Sequence, residues 1–163
     1  MSCNEGDPFG SLTIAHGDFA RTIWVPASKG ECWDVLTDVQ EIVRWIPVLD
    51  SVDEIERLKF YRATLRDRIG MFSLSADAEI KVTELVPESL IRFEAEGEDH
   101  QVGARIKVRA ALGLDEALAG TNANVNGRYE VTGRVATLGA STIRSKAEKI
   151  LDHFYTEMRA SLG

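Results

Sequence analysis

Three observations predict an α+β fold in which a curved antiparallel sheet of seven strands wraps around one long C-terminal helix. After Asp50, apolar and polar residues alternate for about eighty residues with turn signals between the segments, the pattern of a meander with one dry face. Before it, two short helical patterns lie between Pro26 and Pro47. After Leu138, a proline-free stretch repeats its apolar residues at steps of three and four. A one-sided sheet needs a cover for its apolar face, and that last stretch supplies one.

The elements follow in order. Phe19, Ile23 and Val25 share one parity and Pro26, which lacks a backbone donor, ends the first strand. Ser28 is placed to cap a helix whose Cys32, Trp33 and Leu36 fall on one face, and a second short helix carries Val39, Ile42, Val43 and Ile46 up to Pro47. A short strand is expected over residues 51–56, and a longer one over 60–69, where Tyr61, Ala63, Leu65 and Ile69 alternate with arginines and threonine. Beyond Gly70, Phe72, Leu74, Ala76, Ala78, Ile80 and Val82 form the next dry face until Pro87 stops it. Ile91, Phe93 and Ala95 then mark one strand, Ala104, Ile106, Val108 and Ala110 another, and Ala123, Val125, Tyr129 and Val131 the last. The Gly and Asn residues near 120–126 read as a hairpin connection and a polar strand face. A helix over about 135–161 would be about 40 Å long, enough to cross the sheet, with Ile143, Ala147, Ile150, Leu151, Phe154 and Met158 on its apolar side.

Composition narrows the function classes. The 163 residues suit one domain, expected over 13–163 after a polar lead-in at 1–12. A net charge of −7, with the Lys and Arg residues scattered among acids, argues against nucleic acid as a partner. No segment approaches the roughly 20 apolar residues that cross a bilayer, so no integral membrane segment is expected, while peripheral contact with a membrane stays open. Cys3 and Cys32 read as unpaired reduced thiols, and residues 1–10 lack the charged and apolar regions of a secretory signal, which together predict a cytoplasmic setting.

Chemistry-bearing motifs are sparse. His16, His100 and His153 stand in separate segments without metal-ligand spacing, and no phosphate-cradling glycine loop occurs, so neither a metal nor another cofactor is expected. Small residues on the inward parity (Ala63, Ala76, Ala78, Ala104, Ala110 and Gly127) predict room beneath the helix, and hence a cavity for a hydrophobic small molecule. Its expected lining is Leu65, Phe72, Leu74, Phe93, Ile106 and Val108 from the sheet, and Ile143, Ala147 and Ile150 from the helix. Trp45, Ile46 and Leu49 are expected at its mouth, with Tyr61 and Tyr129 as polar handles. Asp67 shares the inward parity and is the single candidate acid or base, although the neighbouring turn at Gly70 favours rotating it to solvent.

The order strand, two short helices, six-stranded meander and long helix resembles the START-like (helix-grip, SRPBCC) superfamily over residues 19–158. Within it the chain is most similar to the CoxG family, the G subunits of carbon monoxide dehydrogenase. Val25-Pro26-Ala27, Trp33, Ile46-Pro47, and Leu138-Gly139 leading into a helix with Ala147, Ile150 and Phe154 occur in that family's order, although Val48 follows Pro47 where the family usually has glycine. The resemblance implies a non-catalytic carrier or accessory protein for a molybdenum hydroxylase of that type, handling a lipid or quinone-like molecule. Two alternatives stand beside it: a cyclase- or dehydratase-like enzyme using Asp67 and a pocket tyrosine, and an interaction module without a ligand.

Overall fold

The structure is a computed structural model and describes residues 14–163, so the expected lead-in and Cys3 lie outside the described residues. Strand β1 (Ile14–Val25) leads into helices α1 (Lys29–Leu36) and α2 (Val39–Trp45). Strands β2 (Leu49–Glu56), β3 (Phe60–Ile69), β4 (Phe72–Val86), β5 (Leu90–Asp99), β6 (Ala104–Ala117) and β7 (Gly120–Gly133) follow, then a 3-10 turn (Arg134–Leu138) and helix α3 (Ala140–Leu162). All strands pair antiparallel in one sheet of order β1-β7-β6-β5-β4-β3-β2, so the first strand closes against the last strand of the meander.

Local chemistry accounts for the short helices. Ser28 and Glu31 cap α1 reciprocally: the Ser28 hydroxyl accepts the Glu31 N–H, and the Glu31 carboxylate accepts the Ser28 N–H. Asp38 accepts from the Gln40 N–H at the start of α2.

Three boundaries differ from expectation. The long helix begins at Ala140 rather than near 135, because Gly133 and Gly139 take positive φ values of 93° and 99° and bracket a 3-10 turn instead. That turn buries Val135 and Ala136 against the end of the sheet. Strands β6 and β7 run several residues further toward their shared hairpin than the apolar pattern implies, since Asp115, Asn124 and Thr22 join across β6, β7 and β1 by side-chain hydrogen bonds. In β4 the register shifts between Val82 and Glu84, so Leu85 returns to the inward face.

The apolar side chains gather into two sealed clusters. The first joins the ends of β1, β6 and β7 to all three helices through Ile23, Val25, Cys32, Trp45, Leu114, Tyr155 and Met158. The second joins β4, β6, β7 and the 3-10 turn to the start of α3 through Leu74, Ala76, Ala104, Val131, Val135 and Ile143. The convex face carries exposed ion pairs such as Arg62–Glu79, Lys107–Glu96 and Arg109–Glu94. Exposed pairs contribute about 0–1 kcal/mol each, so they mark the wet face more than they stabilise the sheet. Among the described residues, no helix is long and apolar enough to cross a membrane.

Candidate functional site

Strand register arranges the concave face into rows that cross the sheet. One row runs Ala63, Ala78, Gly97, Ile106, Val131, Ala15, and its members are mostly buried in or beside the second cluster. At the other end Leu114, Ala123 and Ile23 form a row that is wholly buried in the first cluster. The rows between them are different. Ile80, Ala95, Val108, Tyr129 and Gly17 form one, and Val82, Phe93, Ala110, Gly127 and Phe19 the next, and every one of these residues remains partly exposed. Apolar residues in mid-sheet, flanked on both sides by sealed core, stay accessible only if nothing packs flush on them.

Helix α3 runs over this face, and its nearest backbone approaches are to β1, to α2 and to the 3-10 turn. Ala147, Ile150, Leu151 and Phe154, on the side facing the sheet, are correspondingly half-buried. Phe93, Ala95, Val108 and Ala110 of the sheet and Ala147, Ile150 and Leu151 of the helix are thus the partly exposed apolar residues between the clusters, and they outline a candidate trough.

Of the expected lining, Phe93, Val108, Tyr129, Ala147 and Ile150 are among these partly exposed residues, while Ile46 and Leu49 sit half-buried in the α2–β2 connection. Leu65, Phe72 and Ile106 pack beside the second cluster, and Leu74 and Ile143 are sealed within it. Trp45 is not at a mouth: it is 2% exposed, at the end of α2, with its ring edge-on to Phe154 at 5.7 Å. It acts as a wall that positions Phe154. Tyr61 is likewise not a free handle, because its hydroxyl accepts the Leu58 N–H at 2.8 Å and burial pushes its pKa up.

Asp67 turns inward, against the expectation that the Gly70 turn would rotate it out. β3 and β4 stay in register through Ile69 and Phe72, so no bulge intervenes, and the carboxylate reaches the Lys146 ammonium of α3 at 2.8 Å. It is a tie between helix and sheet. A buried acid lies instead at the β5–β6 turn, where alternation did not single it out. Asp99, 4% exposed, accepts the Ser75 N–H at 2.7 Å and the Gln101 and Val102 N–H groups of the β5–β6 turn. The Ser75 bond, with those from the turn, holds its carboxyl below the usual carboxylate range.

The small residues also divide. Ala76 and Ala104 are part of the second cluster, and a methyl on Gly97 would meet Ala78 Cβ at 3.3 Å, so these residues permit tight packing rather than leaving space. A methyl on Gly127 would lie 2.5 Å from Phe19 Cζ, and one on Gly17 would lie 2.5 Å from the Tyr129 hydroxyl. Both glycines are seats for aromatic rings. Of the small residues in and over the open rows, Ala95, Ala110 and Ala147 stay partly exposed.

Two depressions adjoin this region. One, of about 440 Å³, is lined by Asp18, Arg92, Glu94, Arg109 and Arg128, whose charges are already paired, and by Phe19, Phe93, Ala110 and Gly127 of one open row. The other, of about 240 Å³, lies between β1 and α3 and reaches Phe19, Tyr129, Ala147 and Leu151. Both therefore border the apolar rows.

With this geometry in view, the comparisons with known proteins are specific. The chain matches the family of carbon monoxide dehydrogenase G subunits (CoxG) over residues 22–163. It belongs to that family. No curated protein matches the sequence. Among solved structures, a conserved protein from Geobacillus kaustophilus superposes with a TM-score of 0.77 at 21% identity, covering 90% of this chain and 94% of its own. A START superfamily protein from Mycobacterium smegmatis gives 0.65 at 14% identity, covering 91% and 97%. The di-domain ARO/CYC StfQ of the steffimycin biosynthetic pathway gives 0.59 at 9% identity, covering 98% of this chain and 53% of that one. At these identities the likeness carries the helix-grip fold, and this CoxG-family chain shares that fold with START proteins and aromatase/cyclases alike.

Proposed function

We propose that this CoxG-family chain binds a hydrophobic small molecule, lipid or quinone-like, in the trough under α3, as a non-catalytic carrier or accessory protein. The observation that carries the reading is the pair of mid-sheet rows left partly exposed beneath a helix, between two sealed clusters. Exposed apolar surface in this position costs about 25 cal/mol per Å² relative to burial, so a guest that fills the trough recovers that free energy. Family membership supports a partner in a carbon monoxide dehydrogenase-type molybdenum hydroxylase.

The cyclase-like alternative needs a free acid or base beside the guest. Asp67 is engaged by Lys146 and the Tyr61 hydroxyl by the β2–β3 turn, which leaves Tyr129 alone for that role and favours the carrier reading. The test is native mass spectrometry of the protein purified from its host, with fluorescence titration by the uncharged apolar probe N-phenyl-1-naphthylamine. A co-purifying apolar molecule, displaced by the probe with saturable one-to-one binding, is the expected result. Absence of both carried molecule and saturable probe binding overturns the reading.

A further inference from the structure

The partly exposed rows have an end, and that end is not closed by apolar packing. On β1 they finish at Gly17, Phe19 and, one row further, Arg21, which pairs with Val125. Arg21 lies on the inward parity between Phe19 and Ile23, where an apolar side chain would continue the dry face. It crosses instead to α3. Its guanidinium lies 3.4 Å from the Asp152 carboxylate and 4.5 Å from the centre of the Tyr155 ring.

The cleft it spans is the 240 Å³ depression between β1 and α3. That volume is below the ~300–1,000 Å³ of a complete small-molecule site, as suits a passage into a larger space. Its lining combines the charged Arg21, Arg144, Glu148 and Asp152 with the apolar Phe19, Ala147 and Leu151. Phe19 rests on Gly127 and Tyr129 on Gly17, so a bare backbone lies under each ring. These rings stand where the trough floor meets the cleft.

Resting on the trough reading above, we infer that the β1–α3 cleft is the doorway of the trough and that Arg21, held by Asp152 and Tyr155, is the bar across it. The bar is weak by construction. Its ion pair is exposed, with side-chain accessibilities of 48% and 63%, so it opens on the time scale of side-chain motion and is screened by salt. An arginine across the opening narrows it, yet yields to an apolar molecule that slides beneath it.

Stopped-flow fluorescence with N-phenyl-1-naphthylamine tests this. Arg21→Ala is expected to raise the association and dissociation rates together by about three- to tenfold, leaving Kd within about twofold, since the loss is one exposed ion pair and one cation–π contact. Raised salt should speed uptake by the wild type and not by the variant. In a Cys3→Ser background, a bulky maleimide on Arg21→Cys should slow uptake, while the same label on Leu118→Cys, at the exposed β6–β7 hairpin, should not. Unchanged rates in Arg21→Ala and in the labelled Arg21→Cys protein, with the probe still binding, overturn the doorway and leave the trough standing. Failure of the wild type to bind the probe overturns the trough, and the doorway with it.

Discussion

The two sealed clusters and the open rows between them are built from the same kinds of residue on the same sheet, yet they behave as different materials. Met158 is wholly buried where α1, α2 and α3 converge on β1, while Val108, on the same concave surface, stays partly exposed. Apolar character decides which face of a strand turns inward. The approach of a second element decides whether that face becomes core or cavity.

The sharpest way to break this comparison is truncation on each side of it. Met158→Ala should cost about 2–5 kcal/mol, as cavity-forming core substitutions do, whereas Val108→Ala should cost under about 1 kcal/mol, because its side chain already borders open space. Urea denaturation of the two variants measures the difference, and equal costs would mean that the rows are packed.

Next in size is Asp99→Asn, expected to cost about 2–3 kcal/mol at neutral pH by weakening hydrogen bonds made to a charged acceptor. The sign of its pH dependence follows from its lowered folded pKa. Its contribution is present above the unfolded value of about 3.9 and is lost as pH falls through the lower folded one. Acid titration of unfolding should therefore show a shallower loss of stability below about pH 4 in Asp99→Asn than in the wild type.

Lys146→Met tests the tie between α3 and β3. With side-chain accessibilities of 31% and 20%, the pair is neither fully screened nor fully buried, and its loss should cost about 1 kcal/mol. Asp67→Asn should cost a similar amount, and the double variant less than the sum, as a thermal double-mutant cycle would read. The smallest effect sharpens the comparison most. Ala110→Leu, pointing into the trough, should change stability by no more than about 1 kcal/mol while weakening probe binding at least about tenfold, because filling space there substitutes protein for guest.

The strand pattern was legible because alternation over Phe60–Ile69 and Phe72–Val86 reports directly which face is dry. Trp45 was misplaced because α2 is only two turns long, too short for its pattern to say which neighbour its last residue meets. Arg21 was passed over although its parity was visible, since an arginine among Phe19, Ile23 and Val25 reads as noise until the edge strand is known to lie beside α3. Gly127 was counted as space, and only the position of the Phe19 ring shows that the space is filled.

By itself, then, the sequence determined the order of elements, the dry face of each strand and the amphipathic rod that covers them, because these depend on periodicities of two and of three to four residues along the chain. Tertiary structure alone decided which parts of the sheet that rod seals. It also decided that Asp67 faces Lys146, and that the exposed rows end at a cleft barred by Arg21. Those outcomes depend on distances between residues remote in sequence, which no local pattern encodes.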